Sequence, residues 1–188
     1  MDYHYFQVTL QRDRAGLKDL AHACYEREGC VAVFAPLLGF ASDQALVLGS
    51  GGFELPPKTK AEAHSLSPTL RPAEGARPPP GGVYVHNWFT IDGEAADEFV
   101  ALSGQAWPDF EARFETQIFG LFLAAESQAD RLEGSRRLLL MTRYRDLGEW
   151  QVSRDPTTDA MQIFLRRREL TRVSLARACV LLPRPETR

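Results

Sequence analysis

Val83-Tyr84-Val85-His86-Asn87-Trp88-Phe89-Thr90-Ile91, introduced by Gly81-Gly82, is the stretch from which the fold is read. β-Branched and aromatic residues crowd it, and a glycine turn precedes it, as in a strand. Side chains alternate faces along a strand. Val83, Val85, Phe89 and Ile91 therefore share one apolar face, suited to a covering helix. Tyr84, His86, Trp88 and Thr90 share the other, each with a hydrogen-bonding tip.

Downstream, Asp92-Gly93 is a turn signal. Ala96, Phe99, Ser103, Ala106 and Phe110 recur at helical spacing and predict a helix. Pro108 is expected to kink it near Trp107 or to divide it into two helices in series. Residues 118–124 read as a second strand, 126–135 as a polar loop and 137–144 as a third strand. A short helix is expected over 147–153. Asp155-Pro156 reads as an N-cap and first-turn proline for a helix through Met161, Phe164, Leu165 and Arg168. A last strand spans 173–182. The order is β-α-β-β-α-β, the ferredoxin-like arrangement.

Upstream, the chain echoes this plan at an offset of 81 positions. Tyr3 falls on Tyr84, Tyr5 on His86, Gln7 on Trp88 and Thr9 on Thr90, while Val8 and Leu10 fall on Phe89 and Ile91. Asp13 reads as an N-cap. Leu17, Leu20, Ala21 and Cys24 mark a helix that Gly29 stops. Residues 30–38 read as a strand, with Pro36 marking an edge or a bulge, and 45–48 as a short one. A short helix over 58–64 and an irregular strand over 65–72 complete the copy. Seven of the twelve prolines lie between Pro56 and Pro80, and Pro78-Pro79-Pro80 stiffens a linker. The expected organisation is thus a shorter first repeat over 1–73, a linker over 74–82 and a second repeat over 83–188. A sheet with helices on one face must still cover its other face, and two such sheets can cover each other.

The totals bound the partners. At 188 residues the chain makes one domain or two small ones, and 44% hydrophobic residues suffice for a core. A net charge of −3 gives no case for nucleic acid or an anionic membrane surface. No apolar run is long enough to span a bilayer, and the N-terminal residues lack the pattern of a signal peptide. Cys24, Cys30 and Cys179 are odd in number and form no C-x-x-C pair, against a disulfide framework or a zinc site. A cytoplasmic setting is expected.

Tyr84 to Ile91, followed by Gly93 and the long helix, and then Leu139-Leu140-Met141-Thr142-Arg143-Tyr144-Arg145-Asp146-Leu147, resemble the NIPSNAP family within the dimeric α/β-barrel superfamily. Thr142 stands where that family usually has an aromatic residue. The resemblance implies an α+β fold in which two four-stranded sheets face each other with helices outside. Here tandem ferredoxin-like βαββαβ repeats would close such a barrel within one chain. It also implies two kinds of function: binding a small apolar molecule or acting as a scaffold, or a cofactor-free monooxygenase or haem-handling enzyme.

On this plan Tyr5, Gln7, Tyr84, His86, Trp88, Met141 and Arg143 are the candidate lining of a cavity inside the barrel. A mostly apolar pocket with a few convergent polar groups is the usual form of a small-molecule site. His86 is either a base or an axial haem ligand, or one tip among large side chains that fill the barrel and bond each other. Haem is the one cofactor this reading admits, and no metal site is expected. The remaining motifs read as structure. Gly49-Ser50-Gly51-Gly52 lacks the Lys-Ser/Thr of a phosphate loop. Arg166-Arg167-Arg168, with Arg172, reads as a solvated helix end favoured by the helix dipole. Glu111 and Glu115 read as a surface face. Cys24 and Cys179 read as core fillers, with Cys30 more exposed. Exposed apolar helix faces leave homodimerisation open.

Overall fold

A computed structural model describes residues 2–11 and 16–185. The proposed Asp13 cap lies outside the described residues. Eight strands form one closed antiparallel barrel. In chain order they are β1 (Tyr3–Thr9), β2 (Cys30–Leu38), β3 (Gln44–Ser50), β4 (Lys60–Pro68), β5 (Val83–Asp92), β6 (Thr116–Ala124), β7 (Ser135–Tyr144) and β8 (Thr171–Leu181). Around the barrel they run β1-β3-β2-β8-β5-β7-β6-β4. Each set of four takes the ferredoxin-like order, with its fourth and third strands flanking its first. The sets meet at two seams, β2–β8 and β4–β6. The fold is therefore a tandem ferredoxin-like α/β barrel.

The alternation read in the sequence sorts the core into layers. Tyr3, Tyr5, Phe34, Leu48, Tyr84 and Met141 pack inside the barrel. Val85, Phe89, Ile91, Leu138 and Leu140 pack outside, under the helices α2 (Ala96–Arg113) and α5 (Asp159–Glu169). Val8, Leu10, Val33 and Val47 form the outer layer of the first set, with Cys24 of α1 (Leu17–Tyr25).

Several expectations are corrected. No helix forms over 58–64. Lys58 has φ +66°, a left-handed turn conformation, and the following residues alternate as β4, pairing Tyr5 with His64 and Gln7 with Glu62. The first set thus lacks a second helix, and Phe53 packs into that outer layer instead. Residues 126–135 are not all loop. Ser127 and Asp130 form a reciprocal capping box that starts α3 (Gln128–Glu133), and Gly134 ends it in the left-handed conformation. Pro108 does not divide α2, which runs unbroken. A fourth helix spans Leu147–Val152 (α4). α5 is capped by Thr158, not Asp155; Asp155 instead accepts from the Thr157 backbone N–H at 2.9 Å. Glu111 accepts from Arg71 and from the Ile118 backbone, and Glu115 lies past the end of α2, so the two make no common helix face. Cys30 is buried. Among the described residues no helix is long and apolar enough to cross a membrane.

Candidate functional site

Inside the barrel the two sheets meet at Tyr5 and His86. The Tyr5 hydroxyl lies 3.1 Å from His86 Nδ1, and Cys179 Sγ lies 3.5 Å from His86 Nε2. Cys179 Sγ also lies 3.7 Å from the Tyr84 carbonyl, to which it donates. The proton arrangement that satisfies every group follows. Tyr5 donates to Nδ1, Nε2–H donates to the sulfur, and the thiol donates to the carbonyl. His86 is fully buried, and burial pushes its imidazole down to about 3, so it is neutral at physiological pH. Burial likewise raises the Tyr5 hydroxyl and the Cys179 thiol well above their usual values. The Phe34 ring meets His86 edge-on at 4.7 Å, and Trp88 meets Tyr5 at 5.8 Å.

Of the seven residues singled out in the sequence, Tyr5, Tyr84, His86 and Met141 are buried together, with Trp88 packed against them. Gln7 and Arg143 are not part of that group. Gln7 sits at one mouth, accepting from Arg177 Nη1 at 3.1 Å. Arg143 pairs in register with Tyr84 at the other mouth, where its Nε donates to the Gly81 carbonyl at 2.9 Å. Two residues missed in the sequence join the Gln7 mouth. His64 packs at a tilt 5.0 Å from Trp88, with its imidazole lowered by burial, and Arg177 lies over the Phe40 ring at 5.1 Å. The parity of β4 and β8 carries that signal once their registers are known.

Outside the barrel, a half-open cavity of about 410 Å³ separates β5 and β8 from α5. Its apolar wall includes Phe89, Met161 and Phe164, and its polar groups include Asn87, Arg154 and Arg167. A separate pocket of about 30 Å³, bordered by Thr142 and Tyr144, shares Asn87, Arg154, Phe164 and Arg167 with it. Here the Arg166–Arg168 reading is corrected. Arg166 and Arg168 are exposed, but Arg167 is only 8% exposed. Its guanidinium lies 5.0, 4.9 and 4.6 Å from the rings of Phe89, Phe99 and Phe164, and Nη1 donates to Ser103 Oγ at 3.0 Å. Burial lowers Arg167 to about 10, which still leaves it charged at neutral pH. The helical spacing of Phe164 and Arg167 puts both on the inward face of α5, a position the run of three arginines masks.

No family model matches the chain, and no curated protein sequence does. Solved structures do. The chain is similar to a putative monooxygenase from Fusobacterium nucleatum (TM-score 0.61, 9% identity, 97% of this chain and 92% of that one). It is also similar to an uncharacterized ferredoxin fold protein related to antibiotic biosynthesis monooxygenases from Listeria monocytogenes (0.54, 13%, 98% and 96%). A heme-degrading enzyme from Listeria monocytogenes is similar as well (0.55, 11%, 97% and 99%). At these identities the likeness establishes the fold.

Proposed function

We propose that the chain is a small-molecule-binding protein that seats an apolar ligand in the cavity under α5, while its barrel interior serves as a packed core. One observation carries the reading. The side chains on the barrel axis satisfy one another, with both His86 nitrogens engaged, whereas the cavity under α5 joins an apolar wall to a few polar groups. Its volume lies within the roughly 300–1,000 Å³ usual for such sites. The NIPSNAP-like reading of the second repeat belongs with this proposal.

The neutral fluorophore N-phenyl-1-naphthylamine tests it. Ser174 borders the cavity from β8, and Trp88 belongs to the barrel. Saturable fluorescence enhancement is expected for the wild type and for Trp88→Phe, with at least tenfold weaker binding for Ser174→Trp. Binding that follows Trp88 and ignores Ser174 would return the seat to the barrel.

Oxygen or haem chemistry is a second reading, favoured by likeness to the putative monooxygenase and the heme-degrading enzyme. The residues present fit haem poorly. Of its usual protein ligands, His, Cys, Met and Tyr, the cavity wall offers the Met161 thioether alone. A Soret shift on haemin titration that is lost in Met161→Leu would favour this second reading over the first.

A further inference from the structure

Arg167 is a buried cation without an anion. Among the described residues no carboxylate comes within ion-pair distance of it; the nearby charge is a second cation, Arg154, on the same cavity. Taking a charge out of water is costly unless a partner offsets it. Three phenyl rings and one serine hydroxyl supply part of that offset. The hydroxyl is itself committed, donating to the Phe99 carbonyl at 2.7 Å. The guanidinium has five N–H donors, and among the described residues one bond, to Ser103, is what the protein gives it. Its side chain borders the cavity, so the missing partner has a place to sit.

We infer that the cavity takes an organic monocarboxylate, its head held by Arg167 and Arg154 and its apolar body laid on Phe89, Met161 and Phe164. This rests on the reading of the cavity as a ligand seat and names the ligand class. A planar guanidinium fork matches a carboxylate. A bare inorganic anion would leave the apolar wall and most of the 410 Å³ unused. Asn87 and Ser174, which face each other with 3.3 Å between Oδ1 and Oγ, add polar atoms at the cavity's edge.

Displacement of bound N-phenyl-1-naphthylamine by decanoate, 2-naphthoate, decanamide and inorganic phosphate tests the inference, with calorimetry measuring decanoate directly. One or both carboxylates are expected to act at concentrations at least tenfold below decanamide, and phosphate not to compete. Which carboxylate is preferred distinguishes a chain-like from an aromatic source. Arg167→Met is expected to abolish the preference for carboxylate over amide while still binding the fluorophore. Arg154→Met, at an exposed position, is expected to reduce that preference severalfold and serves if the first variant fails to fold. Equal displacement by decanoate and decanamide, or a preference that survives both variants, overturns the anion inference and leaves the cavity reading standing. Displacement by phosphate at the same concentrations overturns the organic body. If neither the fluorophore nor decanoate binds the wild type, the cavity reading falls and this inference with it.

Discussion

Two buried residues set the energetics at the residue scale, and both make predictions. His86 is neutral in the fold because burial lowers it to about 3, while the unfolded chain's histidine takes a proton near 6.5. Between those values the unfolded state binds more protons, so stability falls as pH falls through that window. The slope is about 1.4 kcal/mol per pH unit for one group. Between pH 7 and pH 5 ordinary carboxylates stay largely ionised, and His64, also lowered, adds in the same direction. Urea unfolding at pH 7 and pH 5 is expected to show this loss, and His86→Gln to show a shallower one, even from a lower starting stability. A profile of unchanged slope in the variant would remove His86 as the source. Arg167 makes the opposite kind of prediction. An uncompensated buried charge is destabilising, so an apolar side chain of similar length in its place removes a desolvation cost. Arg167→Met without ligand is therefore expected to unfold at equal or higher urea than the wild type. A clear destabilisation would mean that the three rings and Ser103 already balance the charge. The Arg167 role was not readable from the sequence, whereas a bonded core histidine was one of the two readings given for His86. His86 stood on the correct face, but its partners lie 81 and 93 positions away.

Elements were legible where their own residues decide them. The faces of β5 follow from alternation, and the inward stripe of α2 follows from helical spacing. The failures were local conflicts between signals. At Ser127-Gln128-Ala129-Asp130 a polar composition hid a capping box, although the Ser-x-x-Asp spacing was present to be read. Ser127→Ala is expected to cost about 1 kcal/mol, and the amides of α3 to exchange faster with solvent while those of β5 do not. At 58–64 a helix was expected where Lys58 turns the chain left-handed and the remainder pairs with β1. Tertiary pairing overrode propensity there. A glycine shows how tightly the entry to β5 is set beside β7. Gly82 has φ +72°, and a Cβ there would overlap the Tyr144 carbonyl, whereas Gly75, with φ +75°, has open space around it. Gly82→Ala is expected to destabilise by several times as much as Gly75→Ala, since both pay the left-handed strain but only the first meets fixed backbone. Equal midpoints in denaturant would contradict that contact.

The whole molecule depends on two sheets covering each other, a relation the repeat made visible before any contact was known. What the repeat could not show was where open space would fall, because the cavity depends on how α5 lies across β5 and β8. The barrel seams are short. β4 meets β6 at three register positions and β2 meets β8 at four, against ten between β5 and β7. Backbone bonding alone would let the sets part. The inner layer opposes this, because Tyr5 needs His86 across it, and separating the sheets would expose the layer to water. Both sets are therefore expected to unfold in one transition. The composition supplies separate reporters: Trp107 and Trp150 belong to the outer layer of the second set, Trp88 being replaced by Phe because it packs on the first set, while Cys24 and Cys30 are buried in the first. Burial raises those thiols to about 12 and about 11, so they react only once exposed. Tryptophan fluorescence and thiol labelling in urea, with Cys179→Ala to silence the third thiol, are expected to give coincident midpoints. Labelling of Cys24 and Cys30 well below the fluorescence midpoint would show the first set opening alone. The shared inner layer would then be too weak to bind the sets into one cooperative unit, because a layer that couples them cannot lose one side while the other stays folded.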